Sequence, residues 1–205
     1  GKSSLVNAGI AHNLAKMGVQ FLSVPRLGTP IPPTIALDDI LNVYTFNAIG
    51  HLLPEFCKPD ERWWQQASLA DALARIDRVT DEFGEPALRI LALDQFEDLF
   101  STYQQRWRDR EAFFNQLSEA LQADGLLRIL FVLREDYLAT FDELARALPD
   151  GARARYHLEL LRAPEAVEAV VHPLQGTSWR FAPGVAEELV NKMLLTTLQA
   201  VSYTH

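Results

Sequence analysis

Cysteine is almost absent from this chain: Cys57 is the only one in 205 residues. A single thiol excludes an internal disulfide framework and any cysteine-based zinc site, and the reading that fits is a reducing, cytoplasmic compartment. Long apolar runs are missing as well. None approaches the ~20 residues that cross a bilayer, and no signal peptide is visible. Positive charge is scarce, with 19 Lys and Arg against 27 Asp and Glu, a formal net charge of -8. Non-specific binding to a nucleic-acid backbone is therefore not expected. Internal repeats and low-complexity tracts are absent too. What remains is 48% hydrophobic and 22% charged, enough for a sizeable core in one large domain, or one domain and the beginning of another.

The chain opens on "GKSSLVNAGI". Gly-Lys-Ser is the second half of G-x-x-x-x-G-K-[ST], the loop whose backbone N–H groups cradle phosphates. The strand and first glycine of such a motif are then expected upstream of Gly1. The tripeptide alone decides nothing, since it is common by chance.

Helical spacing of Leu5, Val6, Ile10, Leu14 and Met17 predicts a helix over 3–17, ended by Gly18. "VQFLSVPRLG" reads as a strand leaving into a loop. Asp38 or Asp39 is expected to cap a helix reaching about Leu53, and Ser68 another reaching about Thr80. "ALRILALD" and "LLRILFVL" are continuous apolar runs of strand length, as in parallel strands buried on both faces. A helix over about 106–123 separates them, and others are predicted over about 135–148, 163–171 and 183–194. "ARYHLELL" is predicted to add a strand. The alternation implies βαβ units, hence an α/β fold with a mainly parallel sheet.

Two strand ends carry chemistry. "RILALDQFEDLF" ends an apolar strand on Asp94, with Glu97 and Asp98 following. In an open parallel sheet ligands bind at the carboxyl ends of the strands. A carboxylate there can hold Mg2+ through water, and a second acid a turn later can orient an attacking water. The competing reading is a solvated acidic helix start, favoured by the helix dipole. "RILFVLREDYL" brings Arg134 to the same edge. Its guanidinium suits either a γ-phosphate or a salt bridge to Asp94 or Glu97.

In this order, "GKSSLVNAG", "LALDQFEDLF", "FVLREDYL" and "YHLELLRAPEAVEAVVHP" resemble the STAND NTPases, relatives of the NACHT and apoptotic ATPases. The likeness is to the novel-STAND type often found ahead of WD repeats in bacterial multidomain proteins. It covers roughly 1–194, and D-Q-F-E-[DE]-L-F is its most specific phrase. The resemblance implies a three-layer P-loop NTPase core over 1–162 and the start of a helical lid over 163–195. It implies ATP or ADP with Mg2+ as ligands, signal transduction as the role, and homo-oligomerisation on activation. Downstream repeat or effector domains of the same polypeptide would be the partners.

Residue by residue, the resemblance puts Gly1 and Lys2 in the phosphate loop, with Lys2 on the β- and γ-phosphates. Ser3 takes the Mg2+ ligand position with Ser4 behind it, and Asp94 is the Walker B acid. Glu97 and Asp98 fall on the paired acids of NACHT-like proteins, Glu97 being the one expected to position water. Arg134 matches the sensor arginine. "VPRLGTP" resembles the R-x-G phrase after the second strand, which makes Arg26 a candidate nucleotide contact beside its reading as a solvated loop arginine.

Gln95 departs from AAA-type motors, which place a glutamate directly after the Walker B acid. That argues for slow, switch-like ATP hydrolysis. A nucleotide-locked, ADP-bound scaffold is the rival reading, and a P-loop kinase is disfavoured by the lack of clustered lid arginines. No N-K-x-D argues for guanine. Trp63, Trp64 and Phe56 are expected to cover the sheet or a neighbouring domain, and "RWRDRE" to be a solvated helix start. "TTLQAVSYTH" changes character abruptly, so the tail over 196–205 reads as non-native sequence.

Overall fold

The structure is a computed structural model describing residues 2–58, 62–81, 83–152, 154–159 and 161–202, with side chains described as far as residue 193. Among the described residues three five-residue strands form one parallel sheet in the order β1 (Gln20–Val24), β2 (Arg89–Leu93), β3 (Leu127–Phe131). Gln20, Arg89 and Leu127 lie side by side at one end, and Val24, Leu93 and Phe131 at the other. The central strand holds the most apolar run, with Leu91, Ala92 and Leu93 fully buried. Each buried leucine contributes about 1.5–3 kcal/mol.

Strand alternation assigns the two faces. Leu22, Val24, Leu91, Leu93, Ile129 and Phe131 belong to the main core. That core is completed by α2 (Val43–Leu52), α3 (Leu69–Arg75), α5 (Arg108–Ala123) and α6 (Leu138–Ala145). On the other face Phe21, Ala92, Leu130 and Val132 meet Val6 and Ile10 of the opening helix, α1. This helix runs over 2–16, α-helical at Lys2–Ser4, π-wound at Leu5–Ile10 and α-helical again at Ala11–Lys16. Helix, sheet and helices make the three-layer α/β architecture of a P-loop NTPase-like fold.

Several local expectations are corrected. Met17 is exposed and only part of the predicted apolar stripe of α1 reaches the sheet. Asn42, not Asp38 or Asp39, caps α2, because its side chain accepts from Tyr44 N–H and Thr45 N–H. Ser68 does cap α3, in a reciprocal box with Asp71, but the helix stops at Arg75. "RWRDRE" is no solvated start. Arg106 donates to the carbonyls of Leu37, Ile40 and Leu41, and Asp109 accepts from Val43 N–H. The pair thereby fastens α5 to the entry of α2. Trp64 stacks on Phe46 at 4.1 Å, on the outer side of α2 rather than on the sheet.

By its packing the chain divides into two compact units, 1–155 and 156–205. The second holds α7 (Ala163–Val171) and α8 (Val185–Ser202), which pack together. No strand forms over 154–159, where Tyr156 and Leu158 are exposed; Leu160 of that predicted strand lies outside the described residues. The helix of α8 continues to Ser202, past the predicted end near 194.

Candidate functional site

The carboxyl edge of the sheet is built by three strand exits. After β2, Asp94 N–H donates to Val24 O, so the chain stays extended for one residue more. By strand parity Asp94 then lies on the face where Ala92 packs against α1. Gln95 adopts a left-handed backbone (φ 48°), and its N–H donates to Asp94 Oδ1 at 2.8 Å. That turn swings the chain back, and Phe96 N–H donates to Val132 O beyond β3. Asp94 is consequently buried between the exits of both neighbours.

Lys2 comes to this edge from the first turn of α1. Its ammonium donates to Leu133 O at 2.8 Å, the carbonyl just before Arg134. Ser3 beside it is half-buried and Ser4 exposed. Gly1 lies outside the described residues. Arg134 leaves β3 at the same edge but pairs with neither Asp94 nor Glu97. Its Nη2 donates to Asp136 Oδ2, and the two side chains are 60% and 61% exposed. The partner is the one that a two-residue spacing in a tight turn makes nearest.

The paired acids separate. Asp98, at the start of the one-turn helix α4 (Asp98–Ser101), is 6% exposed. Its Oδ2 accepts from Arg26 Nε at 2.8 Å and from Gly28 N–H at 3.2 Å. That hydrogen bond and the charge of Asp98 raise the pKa of the Arg26 guanidinium. Arg26 is thus no free loop arginine. Glu97, half-buried, has one oxygen, Oε2, that is buried and without a hydrogen-bond partner. Such an atom costs free energy unless a water or ligand satisfies it.

A family model described as novel STAND NTPase 1 matches residues 1–201. The chain belongs to that family. Membership makes this a nucleotide-binding domain of the P-loop NTPase class, as the order of its motifs implied. No curated protein and no solved structure matches it.

For a STAND NTPase the donor set at the edge fits a hard cation. Ser3 and Asp94 offer oxygen ligands only, and Mg2+ is commonly held by one or two carboxylates together with phosphate oxygens. The orphaned Glu97 Oε2 supplies an acceptor suited to a bound water. Among the described residues no group of three His, Cys, Asp or Glu side chains forms a cation cage. Nor, among them, is any helix long and apolar enough to cross a membrane.

Sequence reasoning missed the residues that pin the turn carrying Arg26. Asn47 donates to Leu27 O and Thr29 O, and His51 Nε2 lies 3.0 Å from Arg26 O. The Tyr103 hydroxyl donates to Thr29 O. The available signals were Asn47 and His51 one helical turn apart in a mostly apolar helix.

Proposed function

We propose that this domain binds ATP or ADP with Mg2+ and acts as a slow ATPase switch in a multidomain signalling protein. The nucleotide state would set the arrangement of attached repeat or effector domains. One observation carries the reading: the Lys2 ammonium sits at the carboxyl edge on Leu133 O, the carbonyl just before Arg134 on the exit of β3, the strand next to the one that leads to Asp94. A lone carbonyl is a weaker partner for an ammonium than a phosphate oxygen. Lys2 would exchange one for the other, with Gly1 and Ser4 in the phosphate loop and Arg26 a further contact.

Ser3 and Asp94 would hold Mg2+, which when bound offsets charge on the β- and γ-phosphates. Glu97 would use its free oxygen to orient the water for in-line attack. Arg134 would leave Asp136 for the γ-phosphate, so its position would report whether a third phosphate is present. Gln95 in place of a glutamate after Asp94 favours slow turnover, and equally favours the second reading, an ADP-locked scaffold. The same proposal divides the chain into a core over 1–162 and the start of a helical lid over 163–195, supported by the packing boundary after Arg155. It places the protein in the cytoplasm, homo-oligomeric when active.

Calorimetric titration of the full-length protein with ATP, ADP and GTP, with and without Mg2+, tests binding. Single-turnover hydrolysis then separates the two readings. Binding without turnover selects the locked scaffold. No binding of any nucleotide ends the proposal.

A further inference from the structure

The turn at the exit of β1 is fixed to a degree its loop sequence does not suggest. Asn47 and His51 of α2 hold the carbonyls of Arg26, Leu27 and Thr29, and the hydroxyl of Tyr103 reaches Thr29 O from the far side of α4. Against this post the start of α4 is fastened by one side chain, Asp98. A single oxygen of that carboxylate accepts from both Arg26 Nε and Gly28 N–H. The approach is close enough to require glycine. A Cβ on Gly28 would lie 2.7 Å from Asp98 Oδ2 and 2.7 Å from Thr102 Cγ2.

The ion pair is also lopsided, because the Asp98 side chain is 8% exposed whereas that of Arg26 is 55% exposed. The acid is the embedded member and the arginine reaches in to it. Thr102 Oγ1 donates to Asp98 O at 2.6 Å, closing the turn of α4 on its backbone side. Glu97 directly precedes this anchored residue and keeps an oxygen without a partner. Two adjacent acids at one strand exit therefore have opposite surroundings.

We infer that Asp98 is a positioning residue and not a reacting acid. Its carboxylate latches the start of α4 to the Arg26–Gly28 turn and so fixes the placement of Glu97, whose Oε2 is buried without a hydrogen-bond partner. The inference deepens the proposed ATPase reading and, for the effect on turnover, rests on it. The oxygen that accepts from both the guanidinium and the amide has its two acceptor sites filled and is committed to the turn. A latch needs only an acceptor oxygen in the right place. That requirement separates the two roles chemically, since asparagine keeps the acceptor and lacks the base.

The test compares Asp98→Asn, Asp98→Ala, Arg26→Ala, the Arg26→Ala/Asp98→Ala double variant and Glu97→Gln in the full-length protein. Hydrogen exchange at the Gly28 amide reads the latch without reference to activity. Asp98→Ala is expected to speed that exchange about tenfold, one hydrogen bond to a charged group, while Asp98→Asn and Glu97→Gln leave it nearly unchanged. Turnover reads the role. Glu97→Gln is expected to lower kcat about a hundredfold with little change in KM. Asp98→Asn should stay close to wild type, Asp98→Ala should lose about tenfold, Arg26→Ala, which also removes the proposed nucleotide contact, should lose at least as much, and the double variant should lose no more than Arg26→Ala alone. Unchanged Gly28 exchange in Asp98→Ala overturns the latch. Asp98→Asn as inactive as Glu97→Gln overturns the positioning role and makes Asp98 a reacting acid. If the wild-type protein turns over no nucleotide, the ATPase reading fails while the exchange result still decides the latch.

Discussion

The two ends of the sheet use the same residue types to opposite effect. At the amino end Arg89, 3% exposed, donates to Leu73 O, Ile76 O and Gln20 Oε1. Arg78 and Asp124 form a two-pronged pair beside it, at 2.6 and 3.0 Å. At the carboxyl end Arg134 holds an exposed aspartate two residues away, Lys2 rests on a carbonyl, and Glu97 keeps a buried oxygen without a partner. At the amino end Arg89, Arg78 and Asp124 are paired within the fold, with Arg78 Nε left over, whereas at the carboxyl end only Asp98 is so committed and Lys2, Glu97 and Arg134 are not. Local rules of polar satisfaction are commonly broken where a protein binds something, and the exchangeable partners of Lys2 and Arg134 support the proposed site at the carboxyl end.

The largest effect should come from breaking the committed end. Arg89→Met removes the guanidinium donor of two helix-terminal carbonyls and a glutamine oxygen. Burial pushes the Arg89 pKa down, with the nearby Arg78 charge acting in the same direction and the Asp124 charge against it. Urea unfolding should show a loss of about 4 kcal/mol, with nucleotide affinity unchanged. A loss under about 1 kcal/mol would show that water replaces the guanidinium.

Lys2→Ala should do the reverse. Its one hydrogen bond to Leu133 O is worth about 1 kcal/mol of stability, whereas ATP affinity should fall about a hundredfold as two charge-assisted contacts disappear. Calorimetry and urea unfolding on the same preparation check both halves. Equal losses in the two measurements would erase the distinction between the ends.

Arg134→Ala sharpens the contrast within the exchangeable end. The exposed pair with Asp136 contributes ~0–1 kcal/mol to stability. Preference for ATP over ADP should nevertheless drop by about 1.5–3 kcal/mol, the scale of a hydrogen bond to a charged group. An unchanged ATP-to-ADP affinity ratio would leave Arg134 a surface ion pair.

What could be read from the sequence follows the range of the interactions involved. "RILAL" and "LRILF" declare themselves as strands because continuous apolar runs need no knowledge of their neighbours. Ser68 is legible as a cap because its partner Asp71 is three residues away. Arg106 and Asp109 were misread because their partners lie in residues 37–43, distant in the chain. Asn42 overrides Asp38 and Asp39 for the same reason: Asp109 accepts from Val43 N–H and its backbone carbonyl accepts from the Asn42 amide, fixing where α2 begins. At the carboxyl edge, motif order could place Lys2, Asp94, Glu97, Asp98 and Arg134 together. It could not show that Asp98 is bound to Arg26 and Gly28, or that Arg134 turns to Asp136, since both depend on how loops close.

The smallest effect, and the one confined to the amino end, concerns acid. Burial alone would raise the Asp124 pKa, but the Arg78 hydrogen bond, the Leu126 N–H and the charges of Arg78 and Arg89 outweigh it and lower the carboxyl below its ordinary value. A carboxyl with a lower pKa in the folded state than in the unfolded chain binds fewer protons when folded. Its contribution to stability is therefore complete above the unfolded value of about 3.9 and disappears as the pH falls through the depressed folded value. The Asp124 side chain is 20% exposed and its partner 30%, so solvent screening limits the gain to about 1 kcal/mol. Asp124→Asn should accordingly be less stable than wild type by a constant amount from about pH 5 to 8, with the two curves converging below about pH 4. Urea unfolding of both proteins across that range measures the gap. A gap that persists undiminished well below the ordinary carboxyl range would mean that Asp124 acts through shape alone and that its ionic pairing adds nothing to the closed end.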